Sequence, residues 1–197
     1  LVASNPTASF AAEENPIAIE EVIVTATKRE TNLQDVPHSI TALTNFDIER
    51  MGITDIDDLI RALPSVYMQA TMAGRNQLTM RGISTGSNEY RTDSQVSVYV
   101  DEQPMTTNSQ QVGVRAIDML RIESLPGPQG TIFGSSSQTG TLRYITNKLD
   151  FAGLSGAIDV GAGTTKGGSE SHDLSGHINI PLIDDVLSLR AVAYSSH

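Results

Sequence analysis

The sequence predicts an α+β domain of mixed strands and short helices, followed by a separate run of antiparallel strands. Between residues 39 and 148, short β-favouring stretches alternate with helical ones. From Gly153 the hydrophobic pattern changes to a strict period of two. The charge changes with it: residues 21–148 carry 11 basic and 14 acidic side chains, residues 149–197 only 2 and 6.

Composition bounds the function. The 197 residues are 39% hydrophobic and 18% charged, enough apolar content for a packed core. With no cysteine, disulfides, thiol catalysis, Cys-ligated zinc and Cys-ligated iron–sulfur clusters are excluded. The net charge is −10 and no basic stripe could displace the counterions of a nucleic acid, so none is expected as a partner. The longest uncharged stretch, residues 124–142, is too rich in Gly, Pro, Ser and Thr to be an apolar helical span. Residues 1–20 carry three acids and no base and read as disordered. Within them Ala8-Ser9-Phe10-Ala11-Ala12 fits either a flexible terminus or the remnant of a clipped export signal.

The run Glu21-Val22-Ile23-Val24-Thr25-Ala26-Thr27 favours β structure. Such a segment either joins a sheet edge inside its own domain or pairs with another chain's edge, and composition favours the internal strand. Residues 39–43 read as extended and residues 46–51 as a short helix stopped by Gly52. Thr54 is the expected N-cap of the next helix, with Asp57 and Asp58 in its first turn. Ile56, Leu59, Ile60 and Leu63 form that helix's apolar stripe, and Pro64 ends it. Strands follow at residues 66–69, 78–80 and 96–100. A helical turn is expected at 116–120, leading into a strand at 121–125. A Gly-rich stretch in which no regular helix is expected precedes the strand at 141–146.

After Gly153 three stretches of about ten residues alternate apolar and polar positions, a length and pattern that suit outer-membrane barrel strands. The apolar rows run through Leu154, Ile158 and Val160, then Leu174, Ile178, Ile180 and Leu182, then Leu187 and Leu189. A Gly-rich loop and a turn at Asp184-Asp185 join them. A soluble antiparallel sheet has the same period.

No enzyme constellation emerges. Gly82-Ile83-Ser84-Thr85-Gly86 matches the G-x-S-x-G nucleophile pattern, but a polar loop follows it where an amphipathic helix belongs. Gly127, Gly130, Gly134 and Gly140 lack the Lys of a phosphate-binding loop and suit tight turns and close backbone approach. His172 and His177, five apart on a strand, face opposite ways and cannot share a metal. Catalytic residues, metal sites and cofactors are therefore not expected.

What the motifs do carry, in order, is a resemblance to the TonB-dependent outer-membrane receptors. Glu21, Val22, Ile23, Val24, Thr25 and Ala26 resemble the family's TonB box. Val36-Pro37-His38-Ser39-Ile40 is similar to V-P-x-S-I, and the run from Asp58 to Val66 is similar to D-L-L-x-x-L-P-G-V. Arg81-Gly82 and the run Tyr99-Val100-Asp101-Glu102-Gln103-Pro104 resemble R-G and Y-V-D-G-V-P. Arg121-Ile122-Glu123, then Gly127-Pro128-Gln129-Gly130 and Gly134, resemble R-I-E-V-L-R-G-P-Q-G-T-L-Y-G, and residues 141–148 resemble its closing strand. The family's Arg in L-R-G-P is Pro126 here, which puts an ion pair to the barrel at that position in question; Arg143 is the candidate replacement.

The resemblance implies an α+β plug domain with a mixed sheet and short helices, followed by the first antiparallel strands of an outer-membrane β-barrel. Residues 21–27 would be the TonB box, 28–148 the plug, and 149–197 three truncated barrel strands. Because about 22 strands close such barrels, the chain reads as an N-terminal fragment. The implied function is energised import of a scarce nutrient across the outer membrane of a Gram-negative cell, with the plug facing the periplasm. The implied partners are TonB with ExbB–ExbD, the membrane, and a ligand such as an iron chelate, cobalamin or a carbohydrate. Loop tips carrying Arg75, Asn76, Asn88, Glu89, Tyr90 and Arg91 are the expected ligand contacts. A free-standing periplasmic module built on a plug-like domain is the alternative.

Overall fold

The computed structural model describes residues 22–25, 28–29, 31–36, 39–72, 75–83, 93–107, 110–164, 168, 170–183 and 185–196. Strand β1 (Ile23–Val24) pairs with β2 (Thr31–Asn32), and a 3-10 turn at Leu33–Asp35 leads toward β3 (Thr41–Thr44). Helix α1 (Asn45–Met51) follows directly, because Thr44 and Asp47 cap it reciprocally: the Asp47 amide donates to the Thr44 hydroxyl, and the Thr44 amide donates to the Asp47 carboxylate. Gly52 ends it at φ 64°, a left-handed conformation that a Cβ disfavours.

Helix α2 (Ile56–Ala62) starts one residue later than the sequence suggests. Its N-cap is Asp55, whose carboxylate accepts from the Asp57 and Asp58 amides, while Thr54 donates its own amide and hydroxyl to Asp58. A carboxylate wins this position because it takes two amides at once beside the positive end of the helix. Ile56, Leu59 and Leu63 are buried and Ile60 packs beside them, as their spacing predicts.

The chain continues through β4 (Val66–Met72), β5 (Arg75–Met80), β6 (Val96–Val100), β7 (Gln103–Pro104), β8 (Thr106–Thr107) and β9 (Gln110–Gln111). It then forms β10 (Met119–Pro126), the single turn α3 (Gly130–Phe133) and β11 (Gly140–Thr146). One sheet runs β3-β10-β11-β6-β7, antiparallel except for β11 with β6; a second runs β4-β5-β9-β8.

Two expectations fail here. Residues 116–120 are not helical: the Ala116 amide donates to the Thr54 carbonyl, and Asp118 sits at φ 56°, outside the right-handed helical region. Conversely, the Gly-rich stretch holds the helical turn α3, which has no side-chain cap and is fixed instead by burial of Phe133 and by the Tyr99 hydroxyl donating to the Phe133 carbonyl at 2.7 Å. Gly140 is required by packing, since a Cβ there would collide with Met80 Sδ and the Leu125 carbonyl.

The five-stranded sheet is covered on both faces. Leu43, Val96, Val98, Ile122, Leu142 and Tyr144 meet across the strands on one face and build the main core with Ile48, Ile53 and the α2 stripe. The alternate positions, including Ser97, Tyr99, Glu123, Leu125, Thr141 and Arg143, line the other face.

A separate antiparallel sheet joins β12 (Ser155–Thr164), β13 (Glu170–Ile183) and β14 (Leu187–Ser196). Its register puts Gly156, Ile178 and Ala191 in one row and Ile180 with Leu189 in another, so the apolar positions share one face. Asp173, Ser175, His177, Asn179 and Arg190 share the face toward the mixed domain, and His172, opposite Ala162, lies on the apolar side.

Candidate docking segment and plug–wall seam

The sheet's second face carries charges where the first carries apolar side chains. Arg121, Glu123 and Arg143 come together because Arg121 and Glu123 are two apart on β10 and Arg143 is opposite Glu123 on β11. Arg121 Nε donates to Glu123 Oε1 at 2.8 Å, and Arg143 Nη1 donates to Glu123 Oε2 at 2.7 Å. Glu123 is 0% and Arg143 1% exposed, so neither charge is hydrated and each depends on the other. Arg143 Nη2 also donates to Glu102, and its guanidinium stacks over the Phe133 ring.

The β1 segment is docked on this cluster. Val24 is fully buried, the Thr25 amide donates to Glu123 Oε1 at 2.9 Å, and the Thr25 hydroxyl accepts from Arg121 and Arg143 at 3.0 Å each. Lys28 extends the contact, lying 3.6 Å from Glu102 and over the Phe133 ring.

A second cluster joins the mixed domain to the strands. Arg190 of β14 donates Nε and Nη2 to Asp118 at 2.5 Å each, while Asn147 donates to the same carboxylate at 2.8 Å. Burial alone would raise the Asp118 pKa, but hydrogen bonds from Arg190 and Asn147 and the charges of Arg190 and His177 together hold it below the ordinary value. Arg115 Nη1 meets Asp173 of β13 at 2.6 Å and stacks over Tyr194. Between these contacts runs a cleft of about 1180 Å³, lined by apolar residues such as Ile53 and Val160 and by Asp55, Asp118, Asp159 and Asp173.

The TonB-dependent receptor plug domain family matches residues 32–141, more than half of the chain. The chain belongs to that family. It is 29% identical to the pesticin receptor of Yersinia pestis over 82% of its own length and 24% of the receptor's. Against the ferripyoverdine receptor of Pseudomonas aeruginosa it is 29% identical over 78% of the chain and 18% of the receptor. The solved ferripyoverdine receptor of P. aeruginosa has the same fold over 89% of this chain and 22% of its own, with a TM-score of 0.73 at 23% identity. The ferric yersiniabactin uptake receptor of Y. pestis gives a TM-score of 0.64 at 23% identity, over 80% of this chain and 24% of its own. The chain thus spans about a quarter or less of the receptors it matches.

Within this plug the expected site residues fall into distinct places. Val22, Ile23, Val24 and Thr25 form the docked segment; Glu21 and Ala26 lie outside the described residues. Composition favours an internal strand for this run, and the segment is one: two residues pair with β2 and the next donates into a buried carboxylate. Arg81 and Gly82, at φ 56° and 73°, turn the chain after β5, and Arg81 Nη2 reaches the Pro126 carbonyl at 3.3 Å. Gly127 brings its Cα against that guanidinium, where a Cβ would lie 3.2 Å from it.

Gly127 and Gln129 donate their amides to the Thr139 and Ser137 carbonyls, so Pro128 sits in a pinned loop that leads to Gly130 and α3; Gly134, at φ 83°, ends that turn. Asp101, at φ 52°, turns β6 into β7. Burial acts to raise its pKa, but hydrogen bonds from Lys148 and Thr146 prevail and lower it. Arg143, the candidate replacement for the family Arg, spends its contacts within the plug on Glu123, Glu102 and Thr25.

Among the expected ligand contacts, Asn76 is half-buried on β5 opposite Gln111, and Arg75 is placed by its backbone opposite Met72. Asn88, Glu89, Tyr90 and Arg91, with Ser84, lie outside the described residues. Sequence reasoning missed the Asp118–Arg190 seam and the role of Glu123. The second had a signal: charges at alternate positions of strands otherwise built for burial.

Proposed function

We propose that this chain is the plug and first wall strands of a TonB-dependent outer-membrane receptor that imports a ferric chelate into the periplasm. The observation that carries the reading is the pairing of two features on one plug. A strand-forming segment lies ahead of the domain, and a sheet with one polar and one apolar face lies behind it, its polar face tied to the plug through Asp118 and Arg190. The first suits strand addition by TonB, energised through ExbB–ExbD. The second suits a wall with lipid outside and a filled lumen inside.

Iron chelates are favoured over cobalamin or carbohydrate because the similar receptors are named for ferripyoverdine and ferric yersiniabactin. Arg75 and Asn76 at the start of β5, with Asn88, Glu89, Tyr90 and Arg91, are proposed to meet the ligand, offering donors, acceptors and one aromatic face suited to a polar or anionic chelate. The open apolar face of β12–β14 speaks against a free-standing soluble module.

Ile23→Pro in the full receptor tests the reading. It removes one backbone donor from the segment and is expected to abolish uptake of radiolabelled ferric chelate while leaving chelate binding to whole cells unchanged. Normal uptake sinks the assignment of residues 21–26. Alanine at Arg75, Tyr90 and Arg91 together is expected to weaken chelate binding, and unchanged affinity places the ligand site elsewhere.

A further inference from the structure

β6 pairs along one edge with β11 over its whole length, but along the other β7 covers only Tyr99 and Val100. The Val98 carbonyl still accepts from a backbone amide, that of Met105 at 2.8 Å. From there two side chains take over. The Val98 amide donates to the Thr106 hydroxyl at 2.7 Å, and the Val96 carbonyl accepts from Gln111 Nε2 at 2.8 Å. Thr106 and Gln111 are opposite each other on the β8–β9 hairpin, and Gln111 is also opposite Asn76 on β5. Buried backbone groups need partners, and here two side chains stand where a further strand would otherwise pair.

With Arg75 and Asn76 read as ligand contacts, as proposed above, we infer that Thr106 and Gln111 are positioning residues for ligand binding. They set the β4-β5-β9-β8 sheet in place on the five-stranded sheet, and with it the end of β5 that carries Arg75 and Asn76. The other end of β5, at Leu78 and Met80, is buried in the main core. Apolar packing holds that end without a preferred direction, whereas hydrogen bonds at Thr106 and Gln111 are directional and fix where the Asn76 end sits. Gln111 is 2% exposed and acts through its amide nitrogen, since the Val96 carbonyl can only accept. The same nitrogen donates to Ser94 Oγ at 2.6 Å, while Oε1 has no partner among the described residues. Ser94 follows Arg91 by three positions, so one amide ties β5 to the chain just after the second group of proposed contacts.

Thr106→Val and Gln111→Glu in the full receptor, held in detergent, separate positioning from contact. Valine keeps the shape of threonine but gives the Val98 amide no acceptor, and an ionised glutamate keeps the length of glutamine but cannot donate to Val96. Without ligand, amide hydrogen exchange at residues 98, 106 and 111 is expected to rise about tenfold, the effect of one or two lost hydrogen bonds, while β10 and β11 keep their protection. Thr106→Ser keeps the hydroxyl and should restore the slow exchange. The association rate of ferripyoverdine, with ferric yersiniabactin as the second probe, should fall about tenfold at an unchanged dissociation rate, because a smaller fraction of the receptor presents β5 in the competent place.

Unchanged exchange in both variants overturns the positioning role. So does protection lost evenly over the plug, the mark of a general loss of stability. Faster dissociation at an unchanged association rate overturns it as well, because that is the mark of direct contact with the chelate. Faster local exchange with both rates unchanged upholds the hold of Thr106 and Gln111 on β6 and overturns the reading of Arg75 and Asn76 as ligand contacts. If the wild type binds neither chelate, local exchange and its rescue by Thr106→Ser decide alone.

Discussion

The five-stranded sheet of the plug and the three-stranded sheet that follows it differ in the pattern of their strands, and they meet their surroundings in opposite ways. In the plug, β10 and β11 are buried on both sides, against an apolar core on one and the Glu123 cluster on the other. In the second sheet every residue of β12 is exposed, and Leu154, Ile158 and Val160 are more than 70% accessible. The difference shows where each element finds its partner. The plug strands are satisfied within the plug, by β3 and β6 and by the core and the charge cluster, whereas β12–β14 present an apolar face suited to lipid and an edge suited to further wall strands.

The largest effect that follows is on solubility. A fragment of residues 21–148 is expected to be a soluble monomer, since it keeps the main core and the charge cluster intact. The 197-residue chain is expected to aggregate in water and to become monodisperse in detergent, because the apolar row on β12–β14 then has a cover. Size-exclusion chromatography with light scattering reads both. A detergent-free monomer of the full chain, with residues 155–196 protected from hydrogen exchange, would break the contrast between the two sheets.

Much of this contrast was legible in the sequence, because period-two alternation and the 3.6-residue stripe of α2 are local patterns that burial simply obeys. For residues 22–25 the internal strand was legible too, but its docking on Glu123, about a hundred positions away, was not. Residues 116–120 misled for a related reason. Their apolar and acidic mixture suits a helix, but Asp118 is drawn out of helical geometry, and its carboxylate is claimed by Arg190 and Asn147. Long-range charge pairs override local propensity, and nothing in a single sequence marks which charges meet.

A smaller effect sits at the seam between the two regions. Asp118 has its pKa lowered in the folded protein, so it binds its proton less readily there than in the unfolded chain. Its contribution is fully present above the ordinary carboxylate pKa of about 4 and is lost as pH falls through the depressed folded value. Arg190→Ala in the full receptor is therefore expected to destabilise the seam by up to about 3 kcal/mol at neutral pH, the lower end for breaking a buried pair. The gap between wild type and variant in thermal melts should narrow in strong acid. A gap that stays constant down to pH about 2 would show that Asp118 is not what Arg190 stabilises.

The smallest effect tests a purely local device, a type the plug uses at helix starts and the strand sheet has no occasion for. Asp55 caps α2 through two amides, while Thr54 bonds only to Asp58. In the soluble 21–148 fragment, Asp55→Ala should cost about 1 kcal/mol in urea unfolding, the usual loss of a side-chain cap. Thr54→Ala should cost less than about half of that, because both amides at the helix start keep their acceptor. The slope of the transition should not change in either variant, since neither alters the surface exposed on unfolding. Equal losses at the two positions would mean that the cap is shared between Thr54 and Asp55. A loss at Thr54 alone would return the helix start to the position that the sequence first suggests.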